Sequence, residues 1–200
     1  PKNAADLRTF LGIASYYRRF VSGFAAMVEP IQALLRGDAP FIWSPDCETA
    51  FRRVKQALTS APVLAFPDYN RPFTLSTDAS ATALGAVLSQ VGTDGEEHPV
   101  AFESRALTSA ERNYHTTERE CLAVVWAVDK FSVYLSGRPF KVFTDHEALR
   151  WLLSLNETTG RLRRWTLALL PYQMEVEYRP GASNGNADAL SRPPVAFVET

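Results

Sequence analysis

Four acidic residues lie where predicted helices or strands begin or end: Asp78, Glu120, Asp145 and Asp188. Asp78 follows the strand-like stretch Phe73–Thr77, and Asp145 follows a second such stretch, Lys141–Thr144. An ionised carboxylate is unfavourable inside a protein unless something compensates its charge. A divalent metal ion supplies that compensation where several carboxylates converge. The four acids are therefore candidates for one metal site.

The types of these side chains limit the chemistry. Carboxylate oxygens without cysteine or histidine partners at ligand spacing favour a hard cation, Mg²⁺ or Mn²⁺, over zinc. Two such ions about 3.5–4 Å apart can activate a water molecule and stabilise the leaving oxygen when a phosphodiester is cleaved. His146 directly follows Asp145, which would allow a ligand or proton-transfer role, although a solvated or structural histidine is the more common case.

Each acid also has an ordinary structural explanation. Asp78 begins an Asp-Ala-Ser sequence typical of turns. Glu120 follows Thr117 by three residues, as the second half of a capping box does. Asp145 could cap the next helix, and Asp188 lies where an acid interacts favourably with a helix dipole. Only a topology that brings all four to one edge of a sheet favours the metal site.

The predicted elements supply such a topology. Three strands joined by short connections predict an antiparallel meander: 73–77, 84–90 and 99–104. After them come a helix at about 117–135, a strand at 141–144, helices at 147–153 and about 162–170, a strand at 174–178 and a last helix at about 186–192. A strand, crossover helix and strand predict parallel pairing, which brings Asp78 and Asp145 to adjacent strand ends. The predicted fold class is α/β, a mixed five-stranded sheet flanked by helices.

The long helix carries two candidate acids. Glu118 and Glu120 lie roughly 200° apart around a helix, so only one of them can face the sheet edge. The apolar run Cys121–Val124 continues the buried face next to Glu120. We therefore choose Glu120.

The first 68 residues show helical patterns only, with helices predicted at about 6–17, 28–35 and 45–58. Pro30 would lie in the first turn of the second helix, and Ser44 would cap the third. Arg18 and Arg19 are either solvated or in contact with phosphate. Extended, proline-marked chain then precedes a domain boundary near Asp68.

Composition excludes several classes of protein. The formal net charge is -1, so any contact with nucleic acid must come from local basic clusters. The two cysteines, far apart in helix-like segments, indicate a reducing compartment rather than a disulfide framework. No apolar run reaches the roughly 18–20 residues that span a bilayer, and the first residues, Pro1–Asn3, do not show the apolar region that predicts a signal peptide. The absence of an initial Met leads us to expect a longer parent polypeptide.

Seven segments, in order, resemble the RNase H domain of Ty3/gypsy-type LTR retrotransposon Pol polyproteins. They are Thr77–Ser80, Gly85–Gln90, Ala110–Tyr114, Thr117–Ala123, Thr144–His146, Glu177–Gly181 and Asn186–Arg192. Two upstream segments, Leu7–Gly12 and Tyr16–Phe20, resemble the end of the reverse transcriptase of the same elements, its thumb or connection region. The resemblance covers nearly the whole chain.

The resemblance implies an enzyme that cleaves the RNA strand of an RNA/DNA hybrid during reverse transcription. Carried over by motif, Asp78 matches the first-strand Asp, Glu120 the helix Glu, Asp145 the fourth-strand Asp and Asp188 the last Asp. These residues would hold two Mg²⁺ ions, or Mn²⁺ in their place. The partners implied are the hybrid and the upstream polymerase domains of the same polyprotein. The location implied is the cytoplasm, in the virus-like particle of a retroelement.

The chain departs from the wider family in two respects. The polymerase carboxylates are absent, so we expect no DNA synthesis. Cellular and retroviral RNases H carry a histidine in the loop before the last Asp, and the segment from Arg179 to Asn186 has none. This suggests a slower enzyme, or a substitute such as Tyr178 or Arg179.

A protein that distinguishes RNA from DNA in a hybrid uses the 2′-hydroxyl and the groove shape. Candidate sugar or backbone contacts, which ordinary surface polarity explains equally well, are Ser80, Gln90, Ser104 and Asn113. The best local basic and aromatic cluster is Arg161, Arg163, Arg164 and Trp165. It either contacts phosphate, chiefly through Arg163 and Arg164, or forms a helix face that docks on the N-terminal region.

The predicted organisation is a thumb- or connection-like helical region at 1–68, an RNase H-like catalytic domain at 69–193 and a tail at 194–200. One rival function is a non-catalytic hybrid-binding or scaffolding fragment, which the presence of all four acids disfavours. A second is an integrase-type DNA strand transferase. The usual use of three acids by those enzymes, the Asn186–Asp188 motif and the lack of zinc-ligand clusters disfavour it.

Overall fold

The computed structural model describes residues 1–37, 40–60, 63–147, 149, 160–180 and 184–191. The chain divides into two compact units between Ala65 and Phe66, close to the predicted boundary at Asp68. The identities assigned to the two parts remain predictions. The predicted helix at 147–153 lies almost entirely outside the described residues, and the predicted tail at 194–200 lies wholly outside them.

Capping side chains start two helices of the N-terminal unit. Helix α1 spans Ala4–Tyr16, and the side chain of Asn3 accepts a hydrogen bond from the backbone N–H of Asp6 at 2.9 Å. Helix α3 spans Pro45–Leu58 and begins, as predicted, after Ser44, whose hydroxyl accepts from the backbone N–H of a first-turn residue. Apolar side chains of these helices form the core of the unit, and Phe10 and Phe51 lie 4.6 Å apart between ring centroids.

The second helix differs from its prediction. Helix α2 spans Phe24–Gln32 and continues as a 3₁₀ turn over Ala33–Leu35. It starts after Gly23, whose φ of 68° lies in the left-handed region that glycine readily adopts. Pro30 therefore lies well inside the helix rather than in its first turn, which the preference of proline for helix starts had suggested.

The second unit is built on the predicted five-stranded mixed sheet, in the order β3-β2-β1-β4-β5. The strands are β1 Phe73–Ala79, β2 Ala83–Val91, β3 Glu97–Ala106, β4 Phe140–Thr144 and β5 Met174–Tyr178. Strands β1, β2 and β3 pair antiparallel, whereas β1 with β4 and β4 with β5 pair parallel. The meander and the parallel crossover are both confirmed.

Helices connect and cover these strands. They are α4 Ser109–Arg112, α5 Thr116–Lys130, α6 Ser132–Leu135, α7 Gly160–Leu169 and α8 Gly185–Ser191. The predicted helix at 117–135 is therefore two helices, because regular α-helix ends at Lys130 and Phe131 separates it from α6. Among the described residues, no helix is long and apolar enough to cross a membrane.

Alternation along the strands gives the sheet two different faces. One face carries Phe73, Leu75, Ala86 and Leu88, which form the main core with the buried side of α5. Residues of the opposite parity, such as Gly85, face α8, which lies on β1 and β2. The two helices that carry the predicted acids Glu120 and Asp188 therefore cover opposite faces of one sheet.

Candidate metal centre

Three of the four predicted acids form a compact carboxylate group. Asp78, Glu120 and Asp145 each offer a carboxylate oxygen, and these oxygens all lie within 4.8 Å of one another. Asp78 and Glu120 are buried, and Asp145 is half-buried. Asp145 directly follows β4, and Glu120 comes from the second turn of α5. The three acids, although far apart in sequence, meet at one edge of the sheet.

Asp78 differs slightly from its predicted place. The strand was expected to end at Thr77, but β1 continues to Ala79, and Asp78 pairs with Gly85 of β2. The carboxylate thus projects from a paired strand residue rather than from a turn. The turn begins at Ser80 instead, where the hydroxyl accepts hydrogen bonds from the backbone N–H groups of Thr82 and Ala83.

The structure shows that Glu118, and not Glu120, caps the start of α5. The carboxylate of Glu118 accepts a hydrogen bond from the backbone N–H of His115, which precedes α5, at 3.1 Å. The same carboxylate pairs with Arg161 at 3.0 Å. Glu118 therefore takes the capping role, and Glu120 points to the other acids.

The carboxylate group repels itself when no cation is bound. Burial, with the neighbouring charges of Asp78 and Asp145, raises the pKa of Glu120 to about 9. A hydrogen bond from the Ala79 backbone and the charge of Arg119 act in the opposite direction but do not compensate. Among the described residues, the buried Oε2 of Glu120 has no hydrogen-bond partner. An all-oxygen donor set with an unpaired buried oxygen fits a hard divalent cation.

Asp188 is not a member of this group. It lies half-buried in the first turn of α8, as predicted. Ser191, at the end of the same helix, connects this helix to the group. The Ser191 hydroxyl oxygen hydrogen-bonds to Asp78 Oδ2 and lies 2.8 Å from the backbone carbonyl oxygen of Asp188. Nothing in the sequence marked Ser191 as a site residue, because a serine at a helix end carries no chemical signal by itself.

Three polar and steric features hold α8 against the sheet. At its start, the side-chain amide of Asn184 donates to the Thr77 carbonyl at 3.0 Å. At its end, the hydroxyl of Ser104 donates to the Leu190 carbonyl at 2.6 Å. Between them the helix backbone lies on Gly85, where an added Cβ would meet backbone atoms of α8 at 2.5 Å. The absence of a side chain at Gly85 therefore permits this close approach.

His146 makes a side-chain contact with helix α5. Its Nε2 lies 3.0 Å from the hydroxyl oxygen of Thr117 in the first turn of α5. The contact joins the segment after Asp145 to the helix that carries Glu120. This agrees with the structural explanation of His146, and the sequence carried no sign of its partner.

The predicted sugar contacts mostly have internal partners. Gln90 is buried, and its side chain bonds to backbone groups of Asp68 and Arg71. Ser104 bonds to α8, as described above. The side-chain amide of Asn113 is exposed and donates to the Ser109 carbonyl at 3.1 Å. The roles of Ser80 and Asn113 in substrate binding remain predictions.

The predicted basic and aromatic cluster divides into two sets. Arg161 stacks on Tyr114, with the guanidinium carbon 3.7 Å from the ring centroid, and it also pairs with Glu118. Trp165 packs beside the same tyrosine, at 6.1 Å between centroids. Arg163 and Arg164 are exposed on α7. This second pair is the more exposed part of the cluster.

The two suggested substitutes for the missing histidine lie in different environments. The guanidinium of Arg179 stacks on Phe143, 3.6 Å from the ring centroid, and bonds to Glu97 at 3.4 Å. Tyr178 is 46% exposed. Arg179 is thus held by its neighbours, and a catalytic role for either residue remains a prediction.

Comparison with known proteins gives consistent matches. Residues 43–142 match the model of the RNase H-like domain found in reverse transcriptase. The chain is 41% identical over 193 residues to the Pol polyprotein of transposon 297 from Drosophila melanogaster, a match that covers 96% of the chain and 18% of the polyprotein. It is 39% identical over 197 residues to the transposon Tf2-3 polyprotein of Schizosaccharomyces pombe, covering 96% of the chain and 15% of that protein. The chain therefore spans less than a fifth of these relatives.

The fold also occurs in solved structures. The foamy viral protease-reverse transcriptase in complex with dsDNA aligns with a TM-score of 0.72 and 19% identity, over 90% of this chain and 39% of the viral chain. The native prototype foamy virus enzyme aligns with a TM-score of 0.67 and 18% identity, over 92% of this chain and 26% of that one. At such low identity these alignments establish the fold.

Proposed function

The chain belongs to the family of RNase H-like domains found in reverse transcriptases, within the Ty3/gypsy-type Pol polyproteins, and on that premise we propose that it is a metal-dependent ribonuclease H. It would cleave the RNA strand of an RNA/DNA hybrid during reverse transcription of an LTR retroelement. The observation that carries the proposal is the group formed by Asp78, Glu120 and Asp145, whose carboxylate oxygens lie within 4.8 Å of one another.

The residues of this group would hold the divalent ions and position the scissile phosphate. When bound, two Mg²⁺ or Mn²⁺ ions would supply a water of lowered pKa and stabilise the leaving oxygen. The carboxylates orient these ions because they come from rigid elements, β1, α5 and the end of β4. Asp188, on α8, is proposed to complete the site from the opposite face of the sheet.

The exposed arginines Arg163 and Arg164 are proposed to contact the phosphates of the hybrid. Arg161 makes an internal ion pair and a ring contact, whereas Arg163 and Arg164 are exposed. Because the net charge of the chain is -1, the remaining affinity would come from the upstream polymerase domains of the same polyprotein. We also propose that the protein acts in the cytoplasm, within the virus-like particle of the element.

The test is cleavage of an RNA/DNA hybrid that is end-labelled on its RNA strand, in Mg²⁺ and separately in Mn²⁺. RNA/RNA and DNA/DNA duplexes of the same sequence serve as substrate controls. The Asp145→Asn variant is the protein control, because it keeps the size of the side chain and removes its charge. Cleavage of only the RNA strand of the hybrid, absent in this variant, is the expected result.

A folded chain that binds the hybrid without cleaving it in either metal would contradict the proposal. That outcome would favour the non-catalytic hybrid-binding fragment. Cleavage or joining of the DNA duplex would favour a DNA strand transferase instead.

A further inference from the structure

One row of residues crosses three strands beneath α8. Asp78 of β1 pairs with Gly85 of β2, and Gly85 pairs with Ser104 of β3. Each member meets α8 differently. Asp78 accepts from Ser191, Gly85 leaves space for the helix backbone, and Ser104 donates to the Leu190 carbonyl. The end of α8 is thus bonded to the sheet by two hydroxyls, only one of which touches a carboxylate of the metal centre.

The Ser191 contact restricts the Asp78 carboxylate. The terminal torsion of an aspartate side chain has a broad energy profile, so its two oxygens are poorly fixed by rotamer preference alone. Ser191 is fully buried and hydrogen-bonded to Oδ2. Its one hydroxyl proton is donated either to this oxygen or to the Asp188 carbonyl. Donation to Asp78 fixes the plane of the carboxylate, and with it the directions in which the carboxylate oxygens can bind a cation.

We propose that Ser191 is a positioning residue that holds the Asp78 carboxylate in the orientation needed to bind a divalent metal ion. Ser191 contributes more to the affinity for the metal ion than to the docking of α8. The inference rests on the proposed function in so far as both concern the same metal centre. A hydrogen-bond partner that orients a metal-ligating carboxylate typically changes metal affinity by about 10–100-fold when it is removed.

The chain contains a matched control. Ser104 also donates a hydroxyl proton to the end of α8, but it contacts the Leu190 carbonyl and no carboxylate of the metal group. Ser104→Ala therefore removes a docking bond alone. Ser191→Ala also removes a bond between this helix end and the sheet, but the partner that is lost is a carboxylate of the metal group. Ser191→Cys keeps the approximate volume of the side chain and replaces the hydroxyl with a weak donor.

The experiment is a Mn²⁺ titration of the 200-residue chain without nucleic acid, followed through the electron paramagnetic resonance signal of free Mn²⁺. Thermal unfolding of each metal-free variant measures the docking of α8 separately. We expect Ser191→Ala and Ser191→Cys to raise the Mn²⁺ Kd by about 10-fold or more. Ser104→Ala should lower the unfolding temperature and leave the Kd close to the wild-type value.

Two results would overturn the inference. One is a wild-type Mn²⁺ affinity in either folded Ser191 variant. The other is an equal loss of affinity in Ser104→Ala, which would reduce Ser191 to a docking contact. Hybrid cleavage separates this test from the proposed function. If the Ser191 variants bind Mn²⁺ more weakly but the wild-type chain cleaves no hybrid, only the proposed function is contradicted. If the wild-type chain cleaves the hybrid and the Ser191 variants keep its Mn²⁺ affinity, only the role of Ser191 is contradicted.

Discussion

The carboxylate group and the arginine cluster of α7 are both sets of like-charged residues in the sequence. The fold brings the first set together and separates the second. Asp78, Glu120 and Asp145 come from three separate elements and converge to within 4.8 Å. Arg161 and Arg163 are two residues apart on one helix and diverge, the first into an internal stack and the second into solvent. Proximity in sequence is thus a poor guide to a shared site, because successive positions on a helix point about 100° apart.

The largest expected effect tests the convergent group. Asp78→Asn should reduce hybrid cleavage by at least about 1,000-fold, because the ions it helps to hold are worth several kcal/mol of transition-state stabilisation. Asp188→Asn should reduce cleavage less, since Asp188 lies outside the compact group. Single-turnover rates in saturating Mn²⁺ measure both. Equal losses in the two variants would mean that Asp188 belongs to the ligand set in the same way as the other acids.

The second effect concerns stability and pH. The pKa of Glu120 is about 9 in the folded chain against an ordinary value of 4.5, so between these pH values the folded state keeps a proton that the unfolded state has released. The contribution of Glu120 to the stability of the metal-free chain is therefore greatest below pH 4.5 and is lost as the pH rises to 9. Glu120→Gln removes this dependence, and we expect it to raise the melting temperature at pH 8.5 by about 5 °C.

Differential scanning calorimetry in chelator, across pH 5 to about 9, checks this prediction. The gap between Glu120→Gln and wild type should widen with pH. Saturating Mn²⁺ should reverse the order, because the wild-type group binds the ion and its folded state is stabilised by that binding. A gap that stays constant with pH would contradict the self-repulsion of the group.

The third effect separates the two arginines by stability. Arg161→Ala removes a stacked cation and an ion pair and should lower the free energy of unfolding by about 1–2 kcal/mol. Arg163→Ala, an exposed position on the same helix, should change it by less than about 0.5 kcal/mol. Urea unfolding of both variants makes the comparison. Equal destabilisation would place both side chains in internal contacts.

The smallest effect concerns the hybrid. Arg163→Glu should weaken hybrid binding several-fold at about 50 mM salt and lower the slope of log Kd against log salt by about 1 or more. Arg53→Glu, with the same change of charge at an exposed position of helix α3, is the matched control. Fluorescence anisotropy at several salt concentrations measures both. Unchanged affinity at low salt would remove Arg163 from the substrate surface.

Much of the fold follows from local pattern. The bounds predicted for β5 are those observed, and the Ser44 cap starts α3 where it was predicted to. The errors came where two local signals competed. Proline favours a first helical turn, yet Pro30 lies inside α2, and a continuous apolar pattern concealed the break between α5 and α6 at Phe131. Such choices depend on packing that no short window contains.

The sequence by itself determined three acids of the carboxylate group, because acids at strand and helix ends within a mixed α/β pattern fall at one edge of the sheet. It also determined the number of strands, the antiparallel meander and the parallel pairing of β1 with β4. Only the tertiary structure decided that Glu118 caps α5, that Asp188 lies outside the compact group, and that Ser191 contacts Asp78 across 113 residues of chain. These outcomes depend on side-chain direction and on the close approach of α8 to Gly85, which arise only when distant segments pack together.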